Sequence, residues 1–426
     1  MTTGSVGGVF AKARGQFARD VGTSLASSIA TVVAAAIQAV VVAKAFGPAG
    51  KGIVTLTFLL PGVVGPLVGS GFNASLTYFA SRAPLRSSSL HLTSFGIAAS
   101  VVSFVVVIAL GITGGLHALA PDLHGAYLVV ACLAIPLTIF TGALGALLQG
   151  LGRIRQVNVV RVYQSLSSAA LVAAACALSD SPVTVVAAMV ATLAGGVVVL
   201  VRLLYADGGA LALGIDSSVL RDQFRYAAKD HLGAVLQFLN YRLDQVFVTA
   251  YLSTTQLGLY SIAVTVGEAL WIVPGAVADV VFPRAARQRK GEGVRSTMIS
   301  FVLALGISFV GGLGLFSIGG VLIDALFGAK FHGSYDALVW LLPGAVLLGP
   351  TKILTNDLAG RGYPLVNSAC AGLGLAVTVV LDVVLIPRHG IRGAAAASSA
   401  AYVVVSLLGV ASFLVLRRRP SSSYAA

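Results

Sequence analysis

Arg242 and Asp244 stand in the stretch FLNYRLDQVFVTAYL (Phe238 to Leu252), and Glu268 stands in VGEALWIVPG. A guanidinium can hold a phosphate or diphosphate group through paired hydrogen bonds. A carboxylate can take up and release a proton or a sodium ion, because protonation changes what it costs to move it into drier surroundings. The remaining polar inventory points the same way. The six histidines show no ligand spacing, and Cys132, Cys176 and Cys370 are scattered, with neither a metal pattern nor a disulfide framework. Recognition of an anion and exchange of a cation are therefore the chemistry on offer. No covalent step, no metal and no cofactor is expected.

The surroundings make these charges unusual. Of 426 residues, 57% are apolar and only 10% charged, with a mean hydropathy of +0.94. Apolar windows of about 20 residues recur along the chain, each long enough for a ~30 Å hydrocarbon core. Twelve spans are expected, near 21–46, 52–80, 92–115, 126–150, 157–178, 182–204, 228–252, 257–282, 297–324, 336–359, 365–386 and 391–416. The basic N-terminal segment precedes a run too long for a cleaved signal peptide, so that run is read as a span. The fold class is an all-α polytopic membrane protein. Alternating ten-residue segments of the barrel type are absent.

The net charge of +13 reports topology. With the N-terminus in the cytoplasm, twenty of the cations fall on cytoplasmic ends, from Lys12 to Arg419, and four on the outer side: Lys51, Lys330, Arg388 and Arg392. The positive-inside rule then puts both termini in the cytoplasm, across the cytoplasmic (inner) membrane. Nucleic acid is not an expected partner. No loop carries a Walker motif or an external domain, which argues against a built-in ATPase or a soluble enzyme domain.

The spans repeat. QGLGRIRQVN (Gln149–Asn158) and AGRGYPLVN (Ala359–Asn367) share a Gly-x-Gly…Val-Asn plan. Pro136 and Pro343 are 207 positions apart, and Gly52 and Gly258, in two tight turns, are 206 apart. A duplication follows, with an N-lobe over 1–205, a cytoplasmic linker over 206–225 read as a hinge, and a C-lobe over 226–426. Six spans per lobe give parallel repeats with a cleft between them, in a V shape.

On a helical wheel, Tyr226, Asp230, Gly233, Gln237, Tyr241 and Asp244 share one stripe, while Arg242 lies about 160° from Asp244. Ser261, Glu268, Gly275 and Asp279 form a second stripe. Asp20, Ser24, Ser27, Thr31 and Gln38 form a third, with Gln38 matching Asp244 at the repeat offset, and a small-and-polar face on the second span ends at Asn73. A mid-bilayer charge costs at least ~2.5–3.5 kcal/mol, so these faces are expected to share a wetted cavity. The alternative is a buried network in which Arg242 and Glu268 act as helix glue. Arg161 can meet a phosphate or reach lipid heads. Lys352 either pairs with Asp357 or faces the cavity. Lys44 and Asp382 are read as anchors near the outer ends.

Three stretches carry a resemblance over nearly the whole chain. RLDQVFVTAYLSTTQLGLYSIAVTVGEALWIVPGAVADVVFPRAAR (Arg242 to Arg287), LIPRHGIRGAAAASSAAYVV (Leu385 to Val404) and FGPAGKGIVTL (Phe46 to Leu56) resemble bacterial polysaccharide repeat-unit flippases. These belong to the multidrug/oligosaccharidyl-lipid/polysaccharide exporter superfamily. The resemblance implies a MATE-like fold of two six-helix lobes around a central cavity. It also implies movement of an undecaprenyl-pyrophosphate-linked oligosaccharide to the outer leaflet for cell-surface polysaccharide biosynthesis. Peptidoglycan-precursor flippases carry arginines in the first span and two further helices, and this chain has neither.

The expectation is alternating access. Arg242, Lys352 and Arg161 attract the pyrophosphate; Gln38, Asn73, Gln237 and Tyr241 bond sugars; Asp244 and Glu268 carry a coupling proton or sodium ion. A polysaccharide polymerase and glycosyltransferases are the expected protein partners. The competing readings are a cation-coupled exporter of small amphiphiles on the same fold, and a non-transporting scaffold for polysaccharide enzymes.

Overall fold

The structure is a computed structural model that describes residues 4–81, 85–115, 117, 120–205, 214, 216–287 and 293–417. Apolar residues on all sides of each segment leave no water for the backbone, so each stretch satisfies its own N–H and C=O groups as helix. The helices are α1 (Gly4–Ala80), α2 (Leu85–Ile112), α3 (Gly125–Gly150), α4 (Ile154–Leu178), α5 (Pro182–Tyr205) and α6 (Ser217–Tyr251). They continue as α7 (Thr254–Glu268), α8 (Ile272–Arg287), α9 (Val294–Phe327), α10 (Gly333–Gly360) and α11 (Pro364–Leu416). No strand occurs among the described residues.

Two of these helices fold over on themselves. α1 breaks at Gly47 (φ 65°) and α11 at Gly390 (φ 59°), so each supplies two crossings. Nine described stretches are apolar and long enough to cross a membrane, and two of them contain these breaks. Together with α6, whose charges keep it out of that set, they make the twelve crossings expected. α7 and α8 are the halves of one crossing.

The duplication has a backbone signature. α3 ends with Arg153 N–H on Leu148 O (2.9 Å) and Gly152 N–H on Gln149 O (2.9 Å). α10 ends with Tyr363 N–H on Leu358 O (2.9 Å) and Gly362 N–H on Ala359 O (3.1 Å). Both are Schellman turns, which need a left-handed residue at their pivot. Gly152 (φ 79°) and Gly362 (φ 93°) supply it. The Gly-x-Gly pattern read from the sequence is therefore one helix stop used twice.

Helices α1 to α5 pack on one another, with α3 at their centre; α6 to α11 do the same around α10. The two bundles meet through α1 against α6 and α7. Their closest approach is at the Gly47 end. A Cβ on Gly52 would lie 1.8 Å from the Thr254 carbonyl oxygen, and one on Gly258 would lie 2.0 Å from that of Pro48. Only glycine lets these two turns touch. Thr254 also donates to Asp122, in the loop after α2.

At the opposite, basic end, part of the expected hinge is helix. Asp216 caps α6 by accepting from Ser218 N–H (2.8 Å), which starts the helix at Ser217 rather than near 226. The start of this helix is fastened to α2 and α1. Ser94 donates to Gly214 O (3.1 Å), Gln223 donates to His91 O (3.1 Å), and the Phe72 and Phe224 rings lie 5.8 Å apart. Residues 206–213 and 215 of the expected linker lie outside the described residues, as do both chain ends.

Gly258→Val should hold the two turns apart. Spin labels at the exposed positions Ala49 and Thr255 are expected to report a longer distance in this variant than in the parent. An unchanged distance would show that the glycine contact is not what closes this end.

Candidate functional site

Arg242 projects from α6 into the space between the bundles. It lines a cavity of about 340 Å³ with Lys51, Thr55, Phe58, Met189, Phe238 and Gln245. Glu268, on α7, meets it side by side, Nη1 to Oε1 at 3.2 Å and Nη2 to Oε2 at 3.4 Å. The two side chains are 35% and 26% exposed, so the pair sits on a wall and not in a core. Glu268 holds this place because the crossing breaks just after it. A 3₁₀ turn over Ala269–Trp271 separates α7 from α8, and Pro274 cannot donate to the carbonyl of Leu270.

Lys352, on α10, rests on aromatic rings instead of pairing with Asp357. Its ammonium stands 4.0 Å from the Trp271 ring centroid and 4.8 Å from that of Tyr241, a cation–π seat. Trp271 is fixed by donating to Ala345 O (2.9 Å), and Gln237 donates to the Tyr241 hydroxyl (2.5 Å). Tyr402 closes the aromatic cluster, 5.6 Å from Trp271 and 6.2 Å from Tyr241. Asp357 is taken by Arg361 and by Thr297 (2.9 Å), so it is not the partner of Lys352.

Asp244 departs from the expected cavity placement. It is 1% exposed, inside the C-terminal bundle. Its carboxylate accepts from Tyr260 Oη (2.5 Å), Ser398 Oγ (2.9 Å) and Gln245 N–H (2.7 Å). The stripe from Gly233 through Gln237 and Tyr241 holds together, and it lines a cavity of about 440 Å³ with Pro364, Asn367 and Ser368 of α11. The wheel gave the angle between Arg242 and Asp244 correctly but not which side faced the lumen. The arginine faces it; the aspartate faces α11. The side chains of Tyr226 and Asp230 lie outside the described residues, as do those of Asp20 and Ser24.

Asp382 is not an outer-end anchor. It is fully buried on α11, and neither of its carboxylate oxygens has a hydrogen-bond partner. One turn earlier on the same helix, Thr378 donates to Asn240 Oδ1 (3.2 Å), and Asn240 is one turn earlier than Asp244 on α6. The two helices cross in the same direction, so Asp382 and Asp244 face each other one turn further on and lie within electrostatic reach. The interior of the second bundle therefore holds two carboxylates, Asp244 with three hydrogen bonds and Asp382 with none. The one signal in the apolar text around Asp382 was the four-residue polar spacing from Thr378 to Asp382. Among the described residues no group of three or more His, Cys, Asp or Glu converges on a metal position.

The N-terminal residues lie elsewhere on the same tract. Arg161 and Asn73 line a cavity of about 460 Å³ inside the first bundle, with Thr77, Thr141, Gln149 and Gln164. Gln38 donates to Ser168 Oγ (3.0 Å) and lines a neighbouring space of about 340 Å³, which shares Thr141 and Gln164 with the first. That space shares Phe58 and Met189 with the Arg242 cavity, which in turn shares Phe238 with the Tyr241 cavity. Four cavities thus run in series from one bundle into the other. Lys51, read from sequence as an outer-side cation, is half-buried on this tract.

Residues 17–289 match the model of the family described as polysaccharide biosynthesis protein. The probable low-salt glycan biosynthesis flippase Agl15 of Haloferax volcanii is 22% identical over 194 residues, 44% of this chain and 41% of that protein. An uncharacterized membrane protein of Methanocaldococcus jannaschii, MJ1068, is 23% identical over 195 residues, 44% of this chain and 38% of that one. The chain thus spans about two fifths of the length of the curated relatives it matches. Among solved structures, lipid II flippase MurJ in an inward closed conformation superposes with a TM-score of 0.76 over 91% of this chain and 87% of that one, at 14% identity. A multidrug MATE transporter superposes with 0.68 in its inward-facing form, at 14% identity, and 0.59 in its outward-facing form, at 13%. Each form covers 93% of this chain and 96% of the other. The fold is the MATE-like all-α membrane fold.

The two acids should differ in what their loss does to stability. Asp244→Ala strands the Tyr260 and Ser398 hydroxyls in a dry interior and is expected to cost about 1–3 kcal/mol. Glu268→Ala, on a wetted wall, should cost no more than about 1 kcal/mol. Thermal unfolding of the two purified variants checks the order.

Proposed function

Because the chain belongs to the polysaccharide biosynthesis protein family, we propose that it moves an undecaprenyl-pyrophosphate-linked oligosaccharide across the cytoplasmic membrane by alternating access. One observation carries this reading: four cavities in series, each with polar side chains in its wall, run from one bundle to the other, and at the junction a guanidinium is held by a single, partly exposed carboxylate. Arg242 meets the diphosphate, which competes with Glu268 for the same donors. Gln38, Asn73, Gln237 and Tyr241 offer amides and a hydroxyl to sugar on either side, and Arg161 offers a second cationic stop nearer the cytoplasmic leaflet. The Gly47 end is the outer side, so the turns at Gly52 and Gly258 close the outer exit while substrate loads.

Coupling belongs to the interior acids. A proton or sodium ion between Asp244 and Asp382 removes the cost of two facing carboxylates in a low-dielectric core. Glu268 is then the counter-ion of Arg242 and not the coupling site. Cycling follows if the ion binds one arrangement of α6 and α11 more tightly than the other.

The Tyr241, Trp271 and Tyr402 cluster favours a second reading, export of an organic cation. Against it, Lys352 already occupies the aromatic seat, and such a substrate would have to displace it.

Proteoliposomes holding a fluorescent undecaprenyl-diphosphate oligosaccharide distinguish the two. Wild-type protein is expected to move the lipid between leaflets. Losing a charge-assisted contact worth ~1.5–3 kcal/mol, Arg242→Ala should slow it by roughly 10- to 100-fold. Asp382→Asn should abolish its dependence on an imposed cation gradient. A wild-type protein that leaves the lipid where it was, yet transports a cationic dye, would overturn the proposal in favour of the exporter.

A further inference from the structure

Lys51 is the feature that the proposed transport mechanism does not use. Its ammonium has one contact, 3.1 Å to Thr55 Oγ1, and that hydroxyl donates back to the Lys51 carbonyl (2.9 Å). No carboxylate pairs with it among the described residues. The cavity it lines is walled mainly by apolar residues, among them Val54, Phe58, Leu59 and Val63, with the neutral Thr55 and Gln245 and, on the other bundle, Arg242. An ammonium without a counter-charge in such surroundings is costly, and an anion entering the cavity relieves that cost. Arg242 has Glu268 to neutralise it; Lys51 has no carboxylate partner among the described residues.

The position along the chain adds a second observation. Lys51 is the immediate neighbour of Gly52, whose contact with the Thr254 carbonyl closes the Gly47 end. Lys51 belongs to the first bundle and Arg242 to the second, and they share one cavity while that contact is made. A ligand with two anionic groups can then bind both bundles at once, and it binds the closed arrangement more tightly than one in which the two cations are apart.

We infer that Lys51 is an anion anchor that, with Arg242, holds a diphosphate group across the two bundles and so locks the Gly52–Thr254 closure while substrate is loaded. This rests on the reading of the substrate as a diphosphate-linked lipid. The device makes loading and outer opening mutually exclusive, because a ligand shifts an equilibrium toward the state it binds better.

The test uses the full chain in nanodiscs, with Cys132, Cys176 and Cys370 replaced by Ser and spin labels at positions 49 and 255. Undecaprenyl diphosphate is titrated, with undecaprenol as the neutral control and inorganic pyrophosphate as a second arm. The short-distance population should grow with undecaprenyl diphosphate and not with undecaprenol. For Lys51→Gln the half-saturating concentration should rise about tenfold, the loss of one charge-assisted contact, and Lys51→Arg should restore it. A response to inorganic pyrophosphate alone would assign the anchor to the headgroup; a response only to the lipid would show that the chain is needed as well. If Lys51→Gln titrates like the parent, Lys51 is not an anchor. If the parent binds but its distances do not change, the lock is wrong. Either result is separable from failure of the transport reading, which shows as no movement of labelled lipid by wild type in the proteoliposome assay.

Discussion

Placing a guanidinium within a hydrocarbon slab is the constraint around which this structure is organised. Arg242 cannot face lipid, and it cannot be buried bare. Both conditions are met at one location, the wall between two bundles, where Glu268 reaches it from the next crossing and water or ligand reaches it from the lumen. The kinked crossing follows from this arrangement. An unbroken helix would continue past Glu268; the 3₁₀ turn and Pro274 stop it there and bring Trp271 beneath Lys352. Lys352 in turn avoids lipid by resting on aromatic faces.

A repeated local plan supplies the frame for that wall. The same Schellman stop ends α3 and α10, and each of these helices is the centre of its bundle. The two halves have since diverged in what they carry. Along the tract the first bundle carries amides and hydroxyls with two cations, Arg161 and Lys51; the second carries Arg242, Glu268, Lys352 and the buried acids.

Much of the frame was legible in the sequence because its signals are local. A 20-residue apolar window fixes a crossing, and a glycine in a left-handed turn fixes a stop, wherever the rest of the chain goes. The division between lumen and interior was not legible for Asp244. Helical periodicity gives the angle between two side chains but not which neighbour each one meets, and the Gln237–Tyr241–Asp244 stripe turned out to meet α11. Asp382 was misread for a related reason: it stands near the end of an expected span, where an exposed anchor is the usual reading, yet chain packing covers it. The helix start at Ser217 was not foreseen because Asp216 reads as a loop residue until its capping bond to Ser218 is seen.

The break after Glu268 acts as an elbow, and the two acids beyond and at it have different leverage. Glu268 lies at the pivot, so bending there scarcely displaces it from Arg242. Asp279 lies eight residues past Trp271, ~12 Å along the lower arm at 1.5 Å per residue. Each 10° of flexion therefore swings it by about 2 Å, for the same 1.5 Å rise per residue. Asp279 and Lys352 are now within electrostatic reach. The elbow can thus vary the counter-charge around Lys352 in fine steps while the arginine's own partner stays in place.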